Sequence, residues 1–211
     1  MPSPKLERAK QAYTDEARRL AAQSMAQLEE AKVTPDALTI SGVALCIAGS
    51  VAVFFEYVGW GFYWLGAVLF VIGSVLDVLD GALARSRGIG SPFGAFLDST
   101  VDRVGEGFMI GAIGLVLMRH DQMWGVALAF AAVAGSFLVS YTRARAEELG
   151  LRGDVGLGSR AERVVVITTG LVLAPVHEFV LPAAMALLAT TAWITVVQRI
   201  LFVRQQLRNA R

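Results

Sequence analysis

The sequence is poor in the residues on which disulfides and much acid–base catalysis depend. It contains one cysteine and two histidines in 211 residues. The single cysteine, Cys46, cannot form an internal disulfide, and its position in an apolar run indicates a small core residue. The net charge is only +1, so nothing in the composition indicates a nucleic-acid partner.

Charged residues are also absent from several long stretches. Residues 37–55 and 57–76 contain no Asp, Glu, Lys or Arg, and 55% of the chain is hydrophobic. About 20 apolar residues cross a bilayer. We therefore predict an all-α integral membrane protein with six transmembrane helices. The predicted spans are residues 35–56, 58–82, 92–118, 122–146, 160–177 and 179–205.

The segment before the first predicted span differs from the rest of the chain. Residues 4–31 carry apolar residues every three to five positions with basic residues between them, which is typical of an amphipathic helix. Such a helix can lie along the bilayer surface or pack on the domain as a soluble helix. Residues 1–33 are thus predicted to form a cytoplasmic or interfacial helix without a cleavable signal peptide, and residues 34–211 a transmembrane domain.

The basic residues predict the orientation. With both termini on one side, that side holds 18 of the 19 Lys and Arg residues, and the other side holds only Arg119. The positive-inside rule then places both termini in the cytoplasm, in a multi-pass protein of the cell (plasma) membrane. Because His120 and His177 fall at the opposite turns, neither is assigned as a general base.

Four carboxylates sit at the ends of two apolar segments, on the predicted cytoplasmic side. Asp77 and Asp80 are three residues apart and Asp98 and Asp102 four apart, so each pair shares a helix face. Glycines and a proline between the pairs allow a tight return of an antiparallel helix. Ionisable residues beside membrane segments mark functional sites. Their mutual repulsion calls for a counter-charge, such as Mg²⁺ or Mn²⁺.

Two other interpretations of these acids are possible. A helical hairpin with solvated charges needs no site at all, but four acids at helical spacing beside membrane spans are costly. A cation or proton transporter could use intramembrane acids, and transporters often contain repeats and broken helices. The sequence shows no repeat, and its acids cluster on one side of the membrane, which favours an enzyme.

The spacing of these residues resembles a known family. The pattern D-x2-D-G-x2-A-R-x8-G-x3-D-x3-D of the CDP-alcohol phosphotransferases is met at every fixed position. The matching residues are Asp77, Asp80, Gly81, Ala84, Arg85, Gly94, Asp98 and Asp102. The resemblance implies that Asp77, Asp80 and Asp98 hold metal, either Mg²⁺ or Mn²⁺ and as two ions. It implies that Asp102 is the general base and also a metal ligand.

The same resemblance implies a CDP-linked lipid, CDP-diacylglycerol, as donor. Thr34 and Pro35 predict a helix start, and family members carry a related segment that contacts the cytidine nucleotide. Gly81 permits close approach of the diphosphate, and Arg85 pairs with one of its oxygens. The residues implied in donor binding are Asp36, Ala37, Leu38, Thr39, Gly81, Ala84, Arg85 and Ser91.

A second basic cluster begins at the end of the fourth span and continues into the fifth, with Arg199 near the end of the sixth. The guanidinium group of an arginine can bind a phosphate through two parallel hydrogen bonds. The positive-inside rule alone also explains why arginines occur in cytoplasmic loops. Residues 141–163 resemble the actinobacterial phosphatidylinositol-phosphate synthases, with Arg143 in place of a lysine and Ser159 in place of a glutamate. The resemblance implies inositol phosphate as acceptor and a homodimer. The arginines implied in binding the acceptor phosphate are Arg143, Arg160, Arg163 and Arg199.

The acceptor and the donor type stay open at this point. Glycerol 3-phosphate also bears the phosphate that the arginines favour, and an archaeal lipid donor with inositol phosphate is a further alternative. Glu106 lies one turn beyond Asp102 and is predicted to support the site, with Arg103 as its partner.

Overall fold

The computed structural model describes residues 34–156 and 159–209. In this part of the chain there are six α-helices, two short 3₁₀ helices (Glu56–Val58 and Ala174–Val176) and no strand. The α-helices are α1 (Pro35–Phe54), α2 (Gly61–Ser86), α3 (Pro92–Arg119), α4 (Met123–Glu148), α5 (Arg160–Leu173) and α6 (Val180–Asn209). The all-α prediction is therefore confirmed. The predicted amphipathic helix at residues 4–31 lies outside the described residues.

Three helices begin at a residue whose side chain caps the first turn. Thr34 and Ser91 each accept the backbone N–H three residues further on, and each precedes a proline at the first helical position. Ser159 forms a capping box at the start of α5. Because capping satisfies N–H groups that have no partner within the helix, these residues determine where α1, α3 and α5 begin.

Four of the helices are long and apolar enough to cross a membrane. They are α1, α2, α4 and α6, and their most apolar windows have a mean hydropathy of 1.9 to 2.1. Helix α3 carries four charged residues before its apolar C-terminal part, namely Asp98, Asp102, Arg103 and Glu106, and α5 has only 14 residues. The chain is thus a helical membrane protein, in which two helices bring charged residues into an apolar bundle.

Helix α3 runs through the middle of the core. Met109, Ile110, Ile113 and Val116 on this helix have no solvent exposure. They belong to one buried cluster that also takes in residues from the other five helices. Cys46 is part of this cluster, as predicted. The carboxylates of α3 therefore extend from a helix whose other half packs one face into the core.

Glycines bring α1 and α2 close together. A Cβ atom on Gly73 would lie 2.5 Å from the carbonyl oxygen of Gly42, and one on Gly66 would lie 2.8 Å from that of Gly49. Small residues permit such close helix approach in membranes. The backbones at these points leave no space for a methyl group, so the position of Asp77, one turn beyond Gly73, depends on this contact.

We predict that Gly73→Ala destabilises the protein, by about 1–3 kcal/mol, because a well-packed contact between two backbones must open. Gly114→Ala on α3 is the matched control, since its Cβ would make only an ordinary contact at 3.5 Å with Ala129. Thermal unfolding in detergent should show a lower midpoint for Gly73→Ala alone. Equal midpoints for both variants would contradict the close packing of α1 on α2.

Candidate active site

The break between α2 and α3 brings three carboxylates together. The chain turns at residues 87–91, where Gly88 adopts a φ of +63°, a conformation that glycine tolerates best. Asp77 is buried on α2, and Asp98 and Asp102 are half-buried on α3. One carboxylate oxygen from each of the three lies within 4.8 Å of the others. Carboxylates from the two predicted pairs thus meet in one group.

This group fits a divalent cation. Hard cations such as Mg²⁺ and Mn²⁺ take carboxylate oxygens as ligands, and three converging oxygens supply both the donors and the negative charge. Asp80, the fourth predicted ligand, lies outside the group of three. It is almost fully buried, and its carboxylate accepts a hydrogen bond from the Thr39 hydroxyl. It still lies within electrostatic range of Asp98.

Arg160, at the start of α5, reaches into the same carboxylate group. Its guanidinium donates a hydrogen bond to Asp77, and its Nη2 lies 2.5 Å from Oδ1 of Asp102. The sequence prediction placed Arg160 with the acceptor phosphate, whereas the structure places it against the carboxylates on α2 and α3. A cation at this point offsets the repulsion between like charges in a poorly solvated site.

A cleft of about 430 Å³ opens beside the carboxylates. It lies between the start of α1, the end of α2 and the start of α3. Six of the eight residues predicted to bind the donor line it: Asp36, Thr39, Gly81, Ala84, Arg85 and Ser91. Ala37 and Leu38 are not among its lining residues. The N–H of Ala37 is turned to the cap at Thr34, and Leu38 is buried.

The cleft has further lining residues that were not predicted to bind the donor, namely Thr34, Pro35, Asp80, Ile89, Gly90, Gly94, Ala95 and Asp98, although Asp80 and Asp98 were predicted as metal ligands and Gly94 belongs to the family pattern. Most of them belong to the glycine-rich turn and to the capped helix starts, which were visible in the sequence as turn and cap signals only. A Cβ on Gly94 would lie 3.2 Å from the Ser91 hydroxyl and 3.8 Å from a carboxylate oxygen of Asp36. The starts of α1 and α3 therefore lie side by side.

The charges around the cleft are mixed. Among the described residues that line it are three acids, Asp36, Asp80 and Asp98, and one arginine, Arg85. The N-terminal ends of α1 and α3 add partial positive charge, as helix N-termini do for phosphate ligands. Asp98 lines the cleft and also belongs to the three-carboxylate group. A ligand in the cleft would consequently lie next to any cation that the carboxylates hold.

Arg163 is engaged by a buried carboxylate. Its Nε and Nη2 donate to the two oxygens of Glu106 at 2.7 and 2.9 Å, and both side chains are buried. The prediction that Glu106 pairs with Arg103 was wrong, because Glu106 faces α5 and meets Arg163 there. A two-point contact of this kind orients both groups.

Arg199 is held by backbone carbonyls. Its Nε donates to the carbonyl of Val155 at 2.8 Å, and its Nη1 donates to that of Val139. Arg143 is exposed and donates to Glu147 one turn further along α4 at 2.9 Å. Arg143 and Arg163 both lie within electrostatic range of Arg199. Of the four predicted arginines, Arg160 and Arg163 thus pair with acids of α2 and α3, whereas Arg143 bonds to Glu147 and Arg199 to backbone carbonyls.

Known proteins share this sequence and fold. The family model of CDP-alcohol phosphatidyltransferases matches residues 32–198. The phosphatidylinositol phosphate synthase of Mycolicibacterium smegmatis is 37% identical over 179 residues, which cover 82% of this chain and 79% of that protein. The archaetidylinositol phosphate synthase of Methanothermobacter thermautotrophicus is 39% identical over 144 residues, covering 68% of this chain and 71% of that protein.

Two solved structures of the phosphatidylinositol phosphate synthase of Mycobacterium tuberculosis resemble the fold. The structure with CDP-DAG bound has a TM-score of 0.78 and 33% identity, covering 88% of this chain and 94% of that one. The structure in complex with manganese and citrate has a TM-score of 0.77 and 34% identity, covering 87% of this chain and 88% of that one. With the family model matching most of its length, the chain belongs to the CDP-alcohol phosphatidyltransferase family.

Proposed function

We propose that this chain transfers a phosphatidyl group from CDP-diacylglycerol to a hydroxyl of inositol phosphate, giving phosphatidylinositol phosphate and CMP. The observation that carries this proposal is the position of Asp98. This residue lines the cleft that holds six predicted donor contacts, and it also belongs to the carboxylate group that fits a divalent cation. The names of the relatives and the bound CDP-DAG of a solved neighbour support the same donor and acceptor.

The donor occupies the cleft in this proposal. The capped starts of α1 and α3, together with Arg85, attract the diphosphate, and Gly81 leaves space for it. Asp77, Asp98 and Asp102 would hold the cation, with Asp80 as a further ligand. We favour Mg²⁺ or Mn²⁺, as two ions, because oxygen-only donors suit both and a solved relative holds manganese. When bound, the cations offset negative charge on the entering and leaving oxygens.

The chain's own residues supply the proton transfer and the positioning. The acceptor oxygen attacks the phosphorus that bears the diacylglycerol, the bond from that phosphorus to the bridging oxygen breaks, and CMP departs with the electron pair. Asp102 takes the proton of the attacking hydroxyl. Four arginines favour an acceptor that bears a phosphate, either by binding the phosphate directly or by orienting neighbouring side chains. They are Arg143, Arg160, Arg163 and Arg199.

The distribution of charged residues indicates how the helices lie in the membrane. We infer that α3 and α5 cross the bilayer with the other four helices, because their charged ends are enclosed by the bundle. Both termini and the carboxylates then face the cytoplasm in a protein of the cell membrane, with residues 34–211 as the transmembrane domain. An apolar groove around Phe108, Gly111 and Phe137, of about 760 Å³, suits the second protomer of a homodimer.

A second candidate differs only in the donor lipid. One relative, named as an archaetidylinositol phosphate synthase, is 39% identical to this chain. An archaeal CDP-lipid would use the same cleft, because the contacts with the nucleotide and the diphosphate do not depend on the lipid tails. The lipid part of the donor and the identity of the acceptor alcohol are therefore tested separately.

The first experiment is CMP release by the purified protein with CDP-diacylglycerol. We expect release with inositol 1-phosphate, little with glycerol 3-phosphate or free inositol, and none after removal of divalent metal by EDTA. Addition of Mg²⁺ or Mn²⁺ should restore the rate. Release with glycerol 3-phosphate alone would refute the proposed acceptor. Absence of release until an archaeal CDP-lipid is supplied would select the second candidate.

We predict that Asp102→Asn lowers turnover at least about 100-fold, the usual contribution of a general base. The amide is close in shape to the carboxylate but cannot accept the proton. Binding of CDP-diacylglycerol should remain measurable by calorimetry. Asp121→Asn is the control, since Asp121 lies in the turn between α3 and α4. CMP release by Asp102→Asn near the wild-type rate would remove Asp102 from the proposed role.

Arg143 and Arg163 should behave differently. Arg143→Ala should raise the acceptor KM about tenfold, the effect of losing one charge-assisted hydrogen bond, with little change in stability. Arg163→Ala leaves Glu106 buried without this partner and should cost about 3–5 kcal/mol of stability. Unfolding midpoints and KM values for both substrates test this contrast. The double change Glu106→Leu with Arg163→Met should recover stability, and its failure to do so would contradict the ion-pair explanation.

A further inference from the structure

The loop that follows α4 lies against α6 as a strap. We use this name for residues 150–156. Gly150 has a φ of +71° and ends α4, after which the chain returns along the last turns of that helix. A Cβ on Gly153 would lie 3.1 Å from the Cα atom of Arg143. The strap therefore contacts the turn of α4 from which one predicted phosphate-binding arginine extends.

Helix α6 holds the strap at three points along one face. Gly156 has a φ of +122°, and a Cβ there would lie 2.3 Å from a side-chain carbon of Thr195. Arg199 donates to the carbonyl of Val155 at 2.8 Å. Positions 195, 199 and 206 are four and seven residues apart, a spacing that keeps side chains on one side of a helix.

Gln206 supplies the third point, and within the described part of the chain its side chain hydrogen-bonds only to backbone groups. Its Oε1 accepts the N–H of Arg152 at 3.0 Å, and its Nε2 donates to the carbonyl of the same residue at 2.8 Å. The side-chain amide thus pairs with both backbone groups of one residue, the N–H and the C=O of Arg152, as a residue on a neighbouring strand would. This contact fixes the strap seven residues beyond Arg199 on α6.

The strap also carries charge next to the arginines. Asp154 lies within electrostatic range of Arg143 and Arg199. A hydrogen bond from Arg152 lowers the pKa of the Asp154 carboxyl below its ordinary value, so this group is ionised at neutral pH. A displaced strap would move this negative charge relative to the arginines and would take the Val155 carbonyl away from Arg199.

We propose that Gln206 is a positioning residue for the acceptor, which holds the strap on α6 so that Arg199 and Arg143 keep the orientation that binds the acceptor phosphate. This inference rests on the proposed function. The inference goes beyond the proposed function because Gln206 is not among the described residues that line the donor cleft or form the carboxylate group. The Gln206 amide binds the backbone of Arg152 and so holds the strap on α6. The strap in turn holds the Val155 carbonyl that accepts a hydrogen bond from the Arg199 guanidinium.

The test compares Gln206→Ala with Gln205→Ala in the full-length protein. Gln205 is the exposed neighbour on the same helix; it lines a cavity with Val155 and Gly156 but makes no hydrogen bond to the strap in the described part of the chain, so its loss removes a glutamine without removing an anchoring bond. We expect Gln206→Ala to raise the KM for inositol 1-phosphate about fivefold to tenfold, with the KM for CDP-diacylglycerol changed less than twofold. Gln206→Glu keeps the acceptor oxygen but loses the donor, and it should lie between Gln206→Ala and wild type.

A second measurement separates the contact from the activity. Hydrogen–deuterium exchange of a peptide that contains residues 150–156 should be faster in Gln206→Ala than in Gln205→Ala or wild type. Faster exchange with an unchanged acceptor KM would overturn the positioning role, and unchanged exchange would overturn the anchoring itself. Equal increases in both KM values would indicate general loosening and would also refute the inference.

The wild-type control distinguishes a failure of the proposed function from a failure of the proposed role of Gln206. Wild-type protein that uses another phosphate-bearing acceptor would refute the proposed acceptor, and the same comparison is then made with that acceptor. Wild-type protein that releases no CMP with any acceptor or donor tested would refute the proposed function, and the role of Gln206 in acceptor binding would be refuted with it. An active wild type with an unaffected Gln206→Ala refutes the positioning role alone.

Discussion

Carboxylates at the end of an apolar helix bundle need nearby positive charge, and much of this structure follows from that need. Asp98, Asp102 and Glu106 are spaced four residues apart and form an acidic stripe along α3. Arg160 and Arg163, three residues apart on α5, face this stripe and pair with Asp102 and Glu106. Burying one member of such a pair without the other is costly. The position of α5 is therefore tied to the acids of α3.

This pairing divides the site into two sides. The cleft beside α1, α2 and the start of α3 contains the predicted donor contacts, whereas the arginines and the strap lie on the side of α4, α5 and α6. The carboxylate group lies between them, with Asp98 in the cleft and Asp102 against Arg160. An in-line displacement needs the attacking and leaving oxygens on opposite sides of the phosphorus. The division of the helices matches that requirement.

Sequence reasoning was accurate where the information is local. Asp77, Asp98 and Asp102 could be placed together because helical spacing and a glycine turn determine their geometry. It was less accurate where partners are distant in the chain, as for Arg163 and Glu106, which are 57 residues apart. Residues 36–39 were predicted as a continuous donor segment. Successive helical residues point about 100° apart, so Asp36 and Thr39, three residues apart, reach the cleft while Ala37 and Leu38 do not.

The arginines show why a count of charges does not describe a phosphate site. The charge of Arg163 is largely cancelled by Glu106, and that of Arg160 by Asp77 and Asp102. Arg199 is different, because its direct partners among the described residues are the neutral carbonyls of Val139 and Val155. Those bonds fix its orientation without neutralising it. Arg199 and Arg143, whose partner Glu147 is exposed and screened by solvent, are therefore the two of the four arginines that have no buried carboxylate as a direct partner among the described residues.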